Sequence, residues 1–206
     1  MVAVAAATVA SAVLSGWLLL PDISLEEGGG STFGLYWGPG LYFGAAMAGC
    51  LYAFAKVPIQ KCLGWLAVSM LAWRIALEMV LNSTLTAIPS DLSSDSGSSD
   101  TLNEILRLFL IPGTIGALVI AVGHGLLAAR MSGRWVARAT ISGAVLSIGM
   151  YLSSLPGDDG GTARLILMFA IWQVGMGLTL DHWTRTDPAV AASPSTTPPP
   201  PTEPTI

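Results

Sequence analysis

The sequence predicts an all-α integral membrane protein: a bundle of six transmembrane helices followed by a disordered Pro-rich tail. Three observations predict it. Hydrophobic residues make up 52% of the 206 residues and charged residues only 11%, against about 25% charged in soluble domains. The apolar residues fall in six long stretches, which do not alternate as strands of a membrane barrel would. The basic residues collect in alternate loops, as expected of a chain that crosses a bilayer repeatedly.

Each apolar stretch approaches or exceeds the length that a bilayer requires. About 20 apolar residues in a helix cross the roughly 30 Å hydrocarbon core. The predicted spans are about 2–20, 35–55, 62–82, 104–129, 139–155 and 165–183, in a single domain over residues 1–183. The first stretch lacks the basic start of a signal peptide and exceeds its usual apolar length, so we expect a retained helix. The fifth is the shortest and should stand nearly upright.

The distribution of Lys and Arg predicts the orientation. The loops at 56–61 and 130–138 hold five basic residues, whereas the loops at 21–34 and 83–103 hold none and are acidic. Since basic loops stay on the cytoplasmic side, we predict a plasma- or inner-membrane protein with both termini in the cytoplasm. The remaining residues, 184–206, are rich in Pro, Ser and Thr. Such a segment buries too little apolar surface to fold, which predicts a disordered cytoplasmic tail.

Charged and amide side chains inside the predicted spans are the first candidate site. Arg74 and Glu78 lie four residues apart near the middle of the third span, where a single charge costs about 3 kcal/mol to insert. Arg107 and Gln173 fall at similar depths in the fourth and sixth spans. One hypothesis is that these four residues line a substrate or ion pathway in the outer half of the bundle. The alternative is an ion-pair network that only holds the helices in register.

Small residues form a second candidate feature, in the second span. Gly40, Gly44 and Ala48 follow one another at four-residue intervals. This spacing places them on one face of a helix and lets another helix approach closely. We therefore predict a helix-packing ridge, for use within the bundle or between copies of the chain. The aromatic residues around the start of this ridge suit the membrane interface: Tyr36, Trp37, Tyr42 and Phe43.

The histidines are weak metal or haem candidates. His124 lies between two glycines in the fourth span and His182 ends the sixth, and paired histidines can hold a metal or haem. No further ligand cluster accompanies them, so packing explains His124 equally well, and the cofactor is unknown. Cys50 and Cys62 lie toward the reducing side and predict buried thiols.

Three functions follow from these features. The favoured one is a transport- or channel-like protein with a polar pathway. The alternative is a non-catalytic accessory or assembly subunit of a larger membrane complex, and the third is a redox or haem protein. No hydrolase, nucleotide-binding or metalloprotease motif occurs in the sequence, which favours a protein that is not an enzyme. The acidic balance argues against nucleic acid as a partner. Expected partners are the bilayer and a second copy or a larger membrane complex.

Overall fold

The structure is a computed structural model that describes residues 1–23, 32–87, 105–127, 132–154 and 161–186. These residues form helices and no strands, so the all-helical class is confirmed for the described part of the chain. The helices are α1 (Val2–Ile23), α2 (Thr32–Ala53), α3 (Ile59–Ala87), α4 (a π-helical start at Ile105–Leu110 continuing as Ile111–Leu127), α5 (Gly133–Ser154) and α6 (Gly161–Thr186). From residue 187 onward, the predicted tail lies outside the described residues.

Several helix boundaries differ from the sequence prediction, and those of α5 and α6 differ for identifiable reasons. α5 has 22 residues and begins at Gly133, because the backbone carbonyl of Ser132 accepts from Trp135 N–H at 3.0 Å and opens the helix earlier. It is therefore longer than the predicted span of 139–155. α6 continues to Thr186, and Arg185 bonds the Asp181 carboxylate one turn earlier at 2.9 Å. This hydrogen bond also raises the pKa of the Arg185 guanidinium.

The start of α4 is a π-helix because of Pro112. Proline has no N–H, and its ring collides with the carbonyl of the residue four positions earlier. The helix accommodates this proline with a wider π-turn at Ile105–Leu110, which ends shortly before it. Thr114 then donates its hydroxyl to the Leu110 carbonyl at 2.6 Å. Turns of this kind occur frequently at functional sites.

The six helices close into a ring. Each helix packs against the next in the chain, and α6 returns to pack against α1. The amino group of Met1 lies 3.3 Å from the Asp181 carboxylate, and the Cys50 thiol lies 3.9 Å from the Ala3 carbonyl. The start of α1, the end of α2 and the end of α6 therefore share one end of the bundle. We call it the basic end, since Lys56, in the connection from α2 to α3, and Arg134, in the first turn of α5, also lie there.

The outside of the ring is apolar. Each of the six helices has exposed large hydrophobic side chains, among them Val13, Leu63, Leu118, Ile141 and Leu167. Four helical segments are long and apolar enough to cross a membrane: Ile59–Ser83, Ile105–Leu127, Gly133–Leu152 and Ala163–His182. Val2–Trp17 is a shorter apolar helix. A surface of this kind favours lipid over water.

Candidate functional site

A cavity of about 290 Å³ lies inside the ring, with walls from α2 to α6. Its lining is almost entirely carbon, and aromatic rings contribute much of it: Phe43, Trp73, Phe109, Phe169 and Trp172. For comparison, an engineered cavity of about 150 Å³ is large enough to bind benzene. The site can therefore hold an apolar molecule or part of one.

Small residues border the cavity where the helices face one another. They are Gly40, Ala72, Ala76, Gly113 and Gly116. A Cβ added to Gly116 would make ordinary contacts, at 3.8 Å from the Ala72 carbonyl oxygen and 3.8 Å from the Ala76 Cβ. Gly116 thus has room for a methyl group, whereas a Cβ on Gly40 or Gly113 would collide with a neighbouring helix.

Two neighbouring residues of α6 bring polar groups to the cavity wall. Gln173 is buried, and its carbonyl Oε1 accepts from the Ser11 hydroxyl at 2.6 Å. Its Nε2 donates to the Ser15 hydroxyl at 3.0 Å. The side chain of Trp172 also borders the cavity, and its buried indole Nε1 has no hydrogen-bond partner among the described residues.

The hydrogen bonds of Gln173 belong to the seam between α1 and α6. Small residues line this seam and bring the two backbones close together. A Cβ on Gly177 would lie 2.7 Å from Thr8 Cγ2, and one on Gly16 would lie 2.5 Å from Ile166 Cγ1. Sequence reasoning did not find Ser11 and Ser15. The signal was present, because small residues recur at three- and four-residue spacing along α1.

Arg74 and Glu78 form an ion pair within α3. The Arg74 guanidinium also lies over the ring of Tyr36 on α2, 4.2 Å from its centroid. The two side chains are 30% and 42% exposed, and neither is among the cavity-lining residues. Each residue turns a helix by about 100°, so Trp73 and Leu77 face the cavity while the next residues turn toward α2.

Of the four predicted pathway residues, only Gln173 borders the cavity. Arg107 lies in the π-helical start of α4, where it is exposed. The structure joins Arg74 to Glu78 but places Arg107 and Gln173 in other surroundings. A shared pathway through these four side chains stays a prediction.

The predicted glycine ridge faces α3. A Cβ on Gly40 would lie 2.8 Å from the Ser69 carbonyl oxygen, and one on Gly44 would lie 2.8 Å from Leu66 Cδ1. Ser69 also donates its hydroxyl to the Gly40 carbonyl at 2.8 Å. Ala48 is half-buried. Gly40 and Gly44 thus pack against α3 within the chain.

His124 is buried in an aromatic cluster nearer the basic end. Its Nδ1 accepts a hydrogen bond from the Trp65 indole N–H at 2.9 Å. Its ring stacks on that of Trp135, with 5.9 Å between the ring centroids. The Nδ1 lone pair is therefore occupied by a proton donor. His182 is exposed. The described residues contain no group of three or more His, Cys, Asp or Glu side chains that could hold a metal.

The aromatic partners of His124 were also missed by sequence reasoning. Trp65 and Trp135 lie 59 positions before and 11 positions after it in the sequence. Periodicity places each residue on the buried face of its own helix but does not pair the helices. Cys50 and Cys62, expected as buried thiols, are buried and free.

No protein-family model, curated protein or solved structure matches this chain. Its function is therefore argued from the geometry.

Proposed function

We propose that this protein spans the membrane six times, with both termini in the cytoplasm, and binds an apolar, membrane-soluble molecule inside the helix ring. The role is transport-type: the cavity takes up such a molecule within the bilayer. The observation that carries the proposal is the carbon-lined cavity walled by five helices.

The closed ring supports six spans rather than four. α1 and α2 together bridge α6 and α3, and both of those contain candidate spans. Helices packed side by side with spans must share their depth in the membrane. Each has 22 residues, or about 33 Å of helix, which is enough for a hydrocarbon core of about 30 Å.

The cavity belongs to the outer half of the membrane if the basic end is cytoplasmic. Its lining comes mainly from the first half of α2 and of α6, and from the middle and second half of α3. These parts lie away from the basic end. A bound molecule would thus sit at the depth of lipid acyl chains in the outer leaflet.

The lining favours an apolar ligand over an ion. An ion entering the cavity would lose its hydration and meet carbon surface, which costs several kcal/mol or more. An apolar ligand instead gains about 25 cal/mol for each Å² of surface that it withdraws from water. Inside lipid that gain is smaller, and shape and aromatic contacts decide affinity.

The test compares two alanines on α3. Ala76 borders the cavity and Ala67 is exposed on the outside of the ring. Wild type, Ala76→Phe and Ala67→Phe are purified in lipid nanodiscs, and retained small molecules are measured by native mass spectrometry and by extraction. We expect wild type and Ala67→Phe to retain an apolar molecule that Ala76→Phe has lost.

Two outcomes would contradict the proposal. Equal retention by the two Phe variants, with both folded, would place the bound molecules on the outer surface. Foreign protein subunits retained at fixed stoichiometry, with no small molecule, would favour the alternative of an accessory subunit.

A further inference from the structure

The polar groups on the cavity wall are not equivalent. The Gln173 amide already bonds two serines of α1, and the Ser69 hydroxyl already bonds the Gly40 carbonyl. The Trp172 indole N–H is a buried donor without an acceptor among the described residues. Buried N–H groups without a partner are rare in folded proteins, whereas under-used oxygens are more common.

The surroundings of Trp172 hold its ring at the wall. Its ring makes an edge contact with Phe43, at 5.9 Å between centroids. A Cβ on Gly113 would lie 3.8 Å from the indole nitrogen, and one on Gly116 would lie 3.9 Å from Cζ2. The indole nitrogen therefore lies near Gly113 and the ring carbon Cζ2 near Gly116, and both glycines line the cavity.

We infer that the Trp172 indole N–H selects a ligand that carries a hydrogen-bond acceptor, namely a carbonyl oxygen on an apolar body. This inference rests on the proposed function, because it assigns the chemistry of the same cavity. The indole N–H can only donate a hydrogen bond, so it favours a ligand with a carbonyl oxygen over a hydrocarbon of the same shape. The volume limits the enclosed part to about a dozen carbon atoms, since half that volume holds benzene.

A pair of probes isolates the carbonyl. 2-Acetylnaphthalene and 2-ethylnaphthalene have the same carbon skeleton and differ by one carbonyl oxygen. Each is equilibrated by dialysis with protein in nanodiscs, with protein-free nanodiscs as the blank, and bound probe is measured by mass spectrometry. The ratio of the two affinities is compared between proteins in identical lipid, so that partitioning of the probes into the bilayer cancels.

The test variant is Trp172→Phe and the matched control is Trp135→Phe. Both remove an indole N–H that has no acceptor among the described residues, and Trp135 lies outside the cavity lining. We expect Trp172→Phe to lose about five-fold of its preference for the ketone, the worth of one net hydrogen bond. Trp135→Phe should keep the wild-type ratio. Unchanged binding of the hydrocarbon shows that the variant is folded with its cavity intact.

Failure of the role of the indole can be distinguished from failure of the proposed function. A ketone preference that is the same in wild type and Trp172→Phe, with the hydrocarbon bound by both, overturns the role of the indole alone. The same conclusion follows if Trp135→Phe loses the preference equally. Wild-type protein that binds neither probe above the blank overturns the proposed function as well.

Discussion

The closure of the ring between α1 and α6 can be tested with a single methyl group. Gly16 packs directly against the backbone of α6: a Cβ there would lie 2.7 Å from Ile166 N and 2.8 Å from Ile166 Cα. Gly49 on α2 is exposed and would have nothing within 4 Å of its Cβ. Gly16→Ala and Gly49→Ala are therefore chemically the same change in two different surroundings.

The magnitude follows from the geometry. Carbon atoms in contact lie about 3.5–4.0 Å apart, so the Cβ of Gly16→Ala must move away from Ile166 by about 1 Å. Backbone atoms cannot rotate aside as a flexible side chain can, and such overpacking costs about 1–3 kcal/mol. Replacing Gly by Ala in a helix also contributes about 1 kcal/mol of stability. That contribution is common to both variants, and the difference between them measures the collision.

The assay is unfolding by increasing SDS in mixed micelles, followed by circular dichroism and tryptophan fluorescence. We expect Gly49→Ala to unfold at or slightly above the wild-type midpoint. Gly16→Ala should be about 1–3 kcal/mol less stable than Gly49→Ala. If the two variants unfold together, Gly16 does not face a helix backbone and the α1–α6 seam is wrong.

Two further predictions concern groups away from the cavity. His124→Leu leaves the buried Trp65 N–H without its acceptor and should lower stability by about 1–3 kcal/mol. Adding Trp65→Phe to this variant should restore part of the lost stability. If the stability losses of the two single variants simply add in the double variant, the hydrogen bond is refuted. Arg74→Leu/Glu78→Leu removes a half-exposed ion pair and should change stability by less than about 1 kcal/mol. Binding of 2-ethylnaphthalene should remain unchanged, and its loss in a folded double variant would instead favour the pathway hypothesis.

Features that depend on neighbours along one helix were accessible from the sequence. The four-residue spacing of Arg74 and Glu78 indicated an ion pair, which the structure contains. Gly40 and Gly44 indicated a close helix contact, and α3 supplies it. Apolar length indicated helices, since a chain in lipid must satisfy its backbone hydrogen bonds within each segment. In every case the residues that indicate the feature lie on one helix, and helix geometry sets their spacing.

Features that join distant helices were decided by tertiary packing. Ser11 and Gln173 are 162 positions apart and meet only because α6 returns to α1. Five helices wall the cavity, and no residue pattern within any one of them indicates it. Helical periodicity determines which residues share a face, but it does not determine which other helix that face will meet. That pairing depends on how six surfaces fit together, and so the ring, the seam and the cavity were set by the tertiary structure.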